Sequence, residues 1–336
     1  LKKGYIYIIL STILFSTMEI SLKISSASFN PIQLTFLRFL IGALVLLPLA
    51  VKGLKKHKCR LHAGDFAFFA LTGFICVVVS MVLYQLAILD APANVVAVLF
   101  SCNPVFVVLF AFMFLREKIY NYTVVSMVVS AAGIIAIMDP MHMSAGAVGI
   151  LLTLLSAVTF ALYGVAGRGR SERYGGIALT CLSFAAGSAE MFILILITKI
   201  APVASLLSGA GLKDFSAIPL FSGISLQSLP GLIYIGVFVT GFGYAFYFLA
   251  MEATSAATAS LVFFIKPALA PIFALIILSE AITANMVVGI LLMVAGSLIT
   301  FIPGARARRD AARDTAAVAE AKNALRAAAQ KSEGKS

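Results

Sequence analysis

"YQLAILDAPANVVAVLFSCNPVFVVLFAFMFLREKI" occupies residues 84–119, and "YFLAMEATSAATASLVFFIKPALAPIFALIILSEAI" occupies 247–282. The two superpose without a gap at an offset of 163: Tyr84 falls on Tyr247, Pro104 on Pro267, Phe110 on Phe273 and Glu117 on Glu280. Gly73 and Gly236 agree before them, Gly133 and Gly296 after. Any two apolar helices share Leu and Ala, but Pro, Gly and Glu agreeing in one fixed register point to duplication. A second block superposes at an offset of 145, with Gly4 on Gly149, Phe15 on Phe160, Lys23 on Arg168, and "LTFLRFLIGA" (34–43) over "LTCLSFAAGS" (179–188). The offsets differ by 18 residues, which is the extra length of the connection 200–227.

The duplicated unit is a membrane unit. Of 336 residues, 61% are hydrophobic and 12% charged, with a mean hydropathy of +1.05, whereas a soluble globule carries about 25% charge. A bilayer-crossing helix needs about 20 mostly apolar residues. Ten such stretches are present: 4–25, 31–51, 64–89, 92–115, 119–138, 145–167, 175–199, 228–251, 254–279 and 284–303. The first resembles a signal peptide, with Lys2 and Lys3 before an apolar run, but Glu19 and Lys23 interrupt the run and the segment has a repeat mate, so it is read as a span. The expected fold is therefore an all-α integral membrane protein of ten helices. Residues 1–139 and 140–303 form the two five-helix repeats, 200–227 an external connection, and 304–336 a basic cytoplasmic tail. Five is odd, so the second repeat enters from the opposite side and a pseudo-two-fold axis lies in the membrane plane. Secondary transporters are commonly built so, with a site near the midplane.

Basic residues set the orientation. With both termini cytoplasmic, 20 of the 25 Lys and Arg fall inside. The net charge of +11 is thus explained by topology, and nucleic acid is not an expected partner. Cys59, Cys76, Cys102 and Cys181 lack paired spacing, so no disulfide and no metal is expected. His57, His62 and His142 all fall in connections. There is no phosphate-binding GxxxxGK[ST] loop. These features argue against an enzyme and against ATP-driven transport, and no cofactor is expected.

Ten spans in two units, each carrying "NPVFVVLFAFMFLRE" (103–117) or "KPALAPIFALIILSE" (266–280) before a helix with late glycines, resemble the EamA-type drug/metabolite transporter superfamily. The resemblance covers nearly the whole chain up to about residue 303. It implies a transporter of small organic metabolites or drugs in a bacterial-type cytoplasmic (inner) membrane. It also implies that the fourth and ninth helices line a central cavity with the first, third, sixth and eighth.

Ionisable residues within spans are candidate functional sites. Lys266 lies about twelve residues into its span, near the midplane; its repeat mate is Asn103, and each precedes a proline. Irregular backbone at that depth persists only when buried or facing a watery cavity. Pro104, Pro267 and Pro271 are candidate hinges, and Lys266 and Asn103 candidate substrate ligands. Lys266 either receives an anionic group of the solute or pairs with Glu19 or Glu190. Glu19 lies about 9 Å inside the outer end of its helix and Arg38 about 10 Å inside the same side. Glu19, Lys23, Arg38 and Glu190 are accordingly candidate coupling or ion-pair residues, with protons as the candidate coupling ion. Tyr84, Tyr163, Tyr244, Phe100 and Phe264 would suit an amphipathic organic solute. Glu117 and Glu280, at helix ends where the dipole disfavours an anion, are candidate gates or caps. The leading expectation is a secondary exporter of amino acids or other carboxylates acting by alternating access. The alternatives are an exporter of lipophilic cations, for which Glu19 and Glu190 would matter more, and a channel.

Overall fold

The computed structural model describes residues 2–116, 119–138, 146–254, 256–259 and 261–299. Glu117, the boundary between the repeats at 139/140 and the tail 304–336 lie outside the described residues. Inside a bilayer every backbone N–H and C=O needs an internal partner, and the chain meets this demand with helices. Among the described residues nine are long and apolar enough to cross: α1 (Lys3–Ser25), α2 (Pro31–Lys56), α3 (Ala63–Asp90), α4 (Ala93–Leu115), α5 (Asn121–Met138), α6 (Ala147–Arg168), α7 (Gly176–Thr198), α8 (Leu229–Ala253) and α9 (Leu261–Leu278). A shorter apolar helix, α10 (Ala284–Ile299), follows.

Local chemistry sets the helix starts. Asn30 caps α2, its side-chain oxygen accepting from Ile32 N at 2.9 Å and Gln33 N at 3.3 Å, with Pro31 pre-set in the first turn. Asp65 Oδ2 reaches back to accept from His62 N at 2.8 Å at the start of α3. The connector 200–227 is pinned to the N-terminal end of α2, Gln33 Nε2 donating to Leu220 O at 3.1 Å and Ser222 O at 2.7 Å, and Asn30 Nδ2 to Asp214 O at 2.9 Å.

The packing has the internal symmetry that the sequence repeat demands. α1 packs on α8 as α6 packs on α3; α2 packs on α8 as α7 packs on α3; α1 meets α9 as α6 meets α4. The contacts α2–α7 and α4–α9 map onto themselves. Glycines show it at atomic scale. A Cβ on Gly187 would lie 2.6 Å from the Gly73 carbonyl and 2.7 Å from Val77 Cβ on α3; its mate Gly42 is pressed against Thr240, the mate of Val77, on α8. Gly133 on α5 faces Gly289 on α10, and Gly296 on α10 faces Ser126 and Ser130 on α5. The fold is thus an all-α membrane fold of two inverted five-helix repeats. Gly241 and Gly243 also serve close approach, against Val45 and Phe15, whereas Gly164 has nothing within 4 Å of its Cβ position.

Two irregularities position the centre. α3 contains a π-helical segment at Phe74–Ser80, and α8 contains one at Tyr234–Phe242; at the offset of 163 the two overlap. The wider turn re-aims the residues that follow, and such segments concentrate at functional sites. The proline-associated breaks are unequal. α4 is interrupted at Ser101–Cys102, where Ser101 N and Cys102 N donate three residues back to Val98 O and Leu99 O at 3.0 Å. α9 runs unbroken through Pro267 and Pro271.

Candidate functional site

Lys266 and Glu19 meet where the repeats meet. Lys266 Nζ, from α9, lies 2.6 Å from Glu19 Oε1, from α1, and the two residues are 3% and 1% exposed. Tyr84 Oη, on α3 just beyond the π segment, donates to the same oxygen. Lys266 Nζ also stands 5.7 Å above the Phe100 ring of α4. Of the two partners weighed for Lys266, Glu19 is the one it takes. One carboxylate oxygen therefore accepts from an ammonium and a phenol, while Glu19 Oε2 is buried without a hydrogen-bond partner.

Arg38, 1% exposed on α2, is the second cation of the cluster. Its guanidinium lies over the Phe39 ring at 4.6 Å, and its Nε and Nη2 have no hydrogen-bond partner. Of the candidate ion-pair residues, neither Arg38 nor Lys23 pairs with Glu19, which takes Lys266, while Lys23 takes Glu280. One turn before Glu19, Ser16 Oγ is buried and unpartnered too. None of these groups has an equivalent charge in its repeat mate: Lys266 maps to Asn103, Glu19 to Gly164, Arg38 to Ser183. The scaffold is symmetric and its charges are not.

Aromatic rings enclose the cluster in two runs. On one side Tyr84 packs edge-on to Phe100 at 4.7 Å, Phe100 contacts Phe160 at 5.4 Å, and Phe160 contacts Tyr163 at 5.6 Å. On the other, Phe39 meets Phe184 at 4.6 Å, Phe184 meets Tyr244 at 5.1 Å, Tyr244 meets Phe15 at 5.1 Å, and Phe15 meets Phe263 at 6.4 Å. Phe263 in turn packs edge-on to Tyr247 at 5.3 Å. Tyr84, Tyr163, Tyr244 and Phe100 from the sequence set fall within these runs; Phe264 is half-buried on α9 next to Phe263. Phe15, Phe160, Phe184 and Phe263 were missed. Phe15 and Phe160 are repeat mates, a signal the register already carried.

Other expected site residues lie elsewhere. Asn103 donates from Nδ2 to Ala157 O on α6 at 2.8 Å, a helix–helix tie. Glu190 is on α7, partly exposed, with Oε2 unpartnered. Glu280 closes one end of the bundle: Oε1 accepts from Ala93 N and Oε2 from Asn94 N, both at 2.9 Å, which caps the start of α4. An anion here is favoured by the helix dipole. Lys23 completes the closure, 3.2 Å from Glu280 Oε1 and 3.1 Å from Ala91 O. Among the described residues no group of His, Cys, Asp and Glu has metal-binding geometry.

A family model of EamA-like transporters matches residues 2–139 and 147–302. The chain belongs to the EamA-like transporter family. It is therefore a multi-pass membrane transporter, working on a small-molecule substrate in a lipid bilayer. An uncharacterized transporter of Clostridium kluyveri is 40% identical over 309 residues, spanning 90% of this chain and 94% of that protein. One from Archaeoglobus fulgidus is 26% identical, spanning 88% and 98%. The pseudopaline exporter CntI of Pseudomonas aeruginosa is 29% identical over 174 residues, 52% of this chain and 60% of CntI. A solved crystal structure superposes with a TM-score of 0.61 at 18% identity, covering 91% of this chain and 98% of the other, which is a likeness of fold.

Proposed function

We propose that this EamA-like transporter is a secondary exporter of small organic metabolites, amino acids or other carboxylates, that exposes one midplane site to each side of the membrane in turn. The observation that supports this reading most is the Lys266–Glu19 pair. Its two charges come from different repeats, α1 packs on α8 and α9, and Tyr84 of α3 and Phe100 of α4 approach the pair from the other side, so movement of α3 and α4 against α1, α8 and α9 must remake the contacts of the pair. A ligand shifts a conformational equilibrium only through differential affinity for the two states. An anionic solute competing for Lys266, or a proton competing for Glu19, has that leverage, and this makes protons the proposed coupling ion. Pairs that can be exchanged in this way are a common use of intramembrane charge. The aromatic walls suit the apolar part of such a solute. The pseudopaline exporter among the relatives favours the outward direction. We place both termini in the cytoplasm, in an inner membrane, from the distribution of Lys and Arg.

The test is counterflow in proteoliposomes. Vesicles preloaded with a panel of amino acids, other carboxylates and lipophilic cations receive trace labelled solute, with and without a pH gradient. The reading requires saturable counterflow of carboxylates that Lys266→Ala abolishes while any cation flux is spared. Flux that does not saturate would identify a channel. Cation-only transport indifferent to Lys266→Ala would identify the alternative exporter.

A further inference from the structure

Arg38 is a buried cation with uncommitted donors. A guanidinium presents five N–H donors and stays protonated, and burying a charge is costly unless it is paired and hydrogen-bonded. Yet Nε and Nη2 of Arg38 have no partner, and its guanidinium lies over the Phe39 ring at 4.6 Å. Within its electrostatic reach are Tyr84, Tyr244, Cys76 and the carboxylate of Glu19. Glu19 is engaged through Oε1, by Lys266 at 2.6 Å and by Tyr84. Lys266 and Glu19 offset each other, so Arg38 leaves the cluster with one positive charge in surplus. The same cluster holds a free acceptor of the opposite sign, Glu19 Oε2, and one turn earlier on α1 Ser16 Oγ is likewise buried without a partner.

We infer that Arg38 is the anion-binding residue of the central site, that it takes the carboxylate of the solute through Nε and Nη2, and that Glu19 Oε2 receives a cationic group of the same solute. Nε and one Nη form the side-on face of the guanidinium fork, which matches the two oxygens of a carboxylate. Lys266 then holds Glu19 in place until the carboxylate of the solute competes for it, and Arg38 is the principal anchor of the anion. The solute class is a zwitterion with its two charges close together and an apolar remainder, which the rings of Phe39, Phe184 and Tyr244 on one side and Phe100 on the other would contact. This deepens the carrier reading above and rests on it for the meaning of the site, though not for its chemistry.

Binding and transport are therefore measured separately. Purified protein in detergent is heated with matched probes: leucine, its decarboxylated amine, its methyl ester, and the carboxylate lacking the amine. Wild type, Arg38→Gln and Arg38→Lys are compared, and leucine counterflow is measured in proteoliposomes. The inference expects leucine to stabilise wild type more than any probe missing one charge. It expects Arg38→Gln to weaken leucine binding by about 10- to 100-fold, the loss of a charge-assisted pair. Arg38→Lys, which keeps the charge and loses the fork, falls between and guards against an Arg38→Gln variant that does not fold. Leucine binding that is equal in wild type and both variants, or equal stabilisation by the amine and by leucine, overturns the inference. So does the absence of stabilisation by any carboxylate probe. Arg38-dependent binding without counterflow supports the anchor and removes the carrier; counterflow indifferent to Arg38 does the reverse.

Discussion

Breaking the Lys266–Glu19 pair from one side at a time gives a quantitative check on the centre. The two residues are almost fully buried and 2.6 Å apart. Removing one partner of a buried pair costs about 3–5 kcal/mol, because the other charge is stranded in a low dielectric. The two single variants should not cost the same. Lys266→Met strands a carboxylate that still accepts from Tyr84 and feels Arg38, so its cost belongs near the lower end, about 3 kcal/mol. Glu19→Gln strands Lys266 and Arg38 together, two like charges without a counter-ion, and belongs near the upper end, about 5 kcal/mol. The double variant removes both members and should cost well under the two singles combined, with a coupling of about 2–3 kcal/mol. The assay is a double-mutant cycle on denaturant unfolding of the detergent-solubilised protein, followed by far-UV circular dichroism. Additivity within about 0.5 kcal/mol would refute the reasoning and mean that the pair is not a coupled unit.

The outer closure, helix packing and a cytoplasmic-side tie supply further predictions. Glu280→Gln removes the charge that pairs with Lys23 while keeping an acceptor for the start of α4; it should raise the rate at which a membrane-impermeant thiol reagent applied from outside labels Cys102, and no change in that rate would contradict the closure. Gly187→Val places a side chain 2.6 Å from the Gly73 carbonyl and should destabilise by about 1–3 kcal/mol, whereas Gly53→Ala, which meets nothing within 4 Å, should leave the unfolding midpoint unchanged; thermal scans of the two distinguish them. Asp65 accepts from Arg173 Nη1 at 3.1 Å, Arg173 Nη2 at 2.9 Å and Tyr174 Oη at 2.7 Å, so Asp65→Ala should lower Tm more than Asp65→Asn, which retains one acceptor; equal midpoints would deny the tie a structural role.

The fold was legible because it depends on two coarse signals that sequence carries well, apolar length and register. The spans and their inversion follow from those alone, and the mated glycine contacts on α3–α7 and α2–α8 follow from the offsets. The centre was less legible. Depth along a helix placed Glu19 and Arg38 at similar levels and Lys266 near the midplane, but depth says nothing of rotation about the helix axis. Rotation decides that Glu19 faces Lys266 and Tyr84 while Arg38 turns to Phe39. Lys23 is four residues from Glu19 on one unbroken segment, Met18–Ser25, yet the reach of its long side chain carries it to Glu280 instead. The π segments at Phe74–Ser80 and Tyr234–Phe242 add a register change that no apolar periodicity marks. Asn103 shows the limit of symmetry arguments: it holds the position of Lys266 in its repeat, but its amide is spent on Ala157 O.

Alternating access between the repeats is tested most directly by locking one end and asking which face still reaches the centre. In a variant lacking the four native cysteines, Lys23→Cys and Glu280→Cys are bridged by a short bifunctional thiol-reactive linker, since these side chains meet at 3.2 Å in the closed outer end. A third cysteine, Ser16→Cys, reports on the central cluster. With the bridge in place, counterflow should stop and an impermeant maleimide should reach position 16 from the cytoplasmic side alone; a cleavable linker should restore both transport and labelling from outside. Counterflow that continues through the bridged protein, or labelling of position 16 from both faces at once, would contradict the carrier.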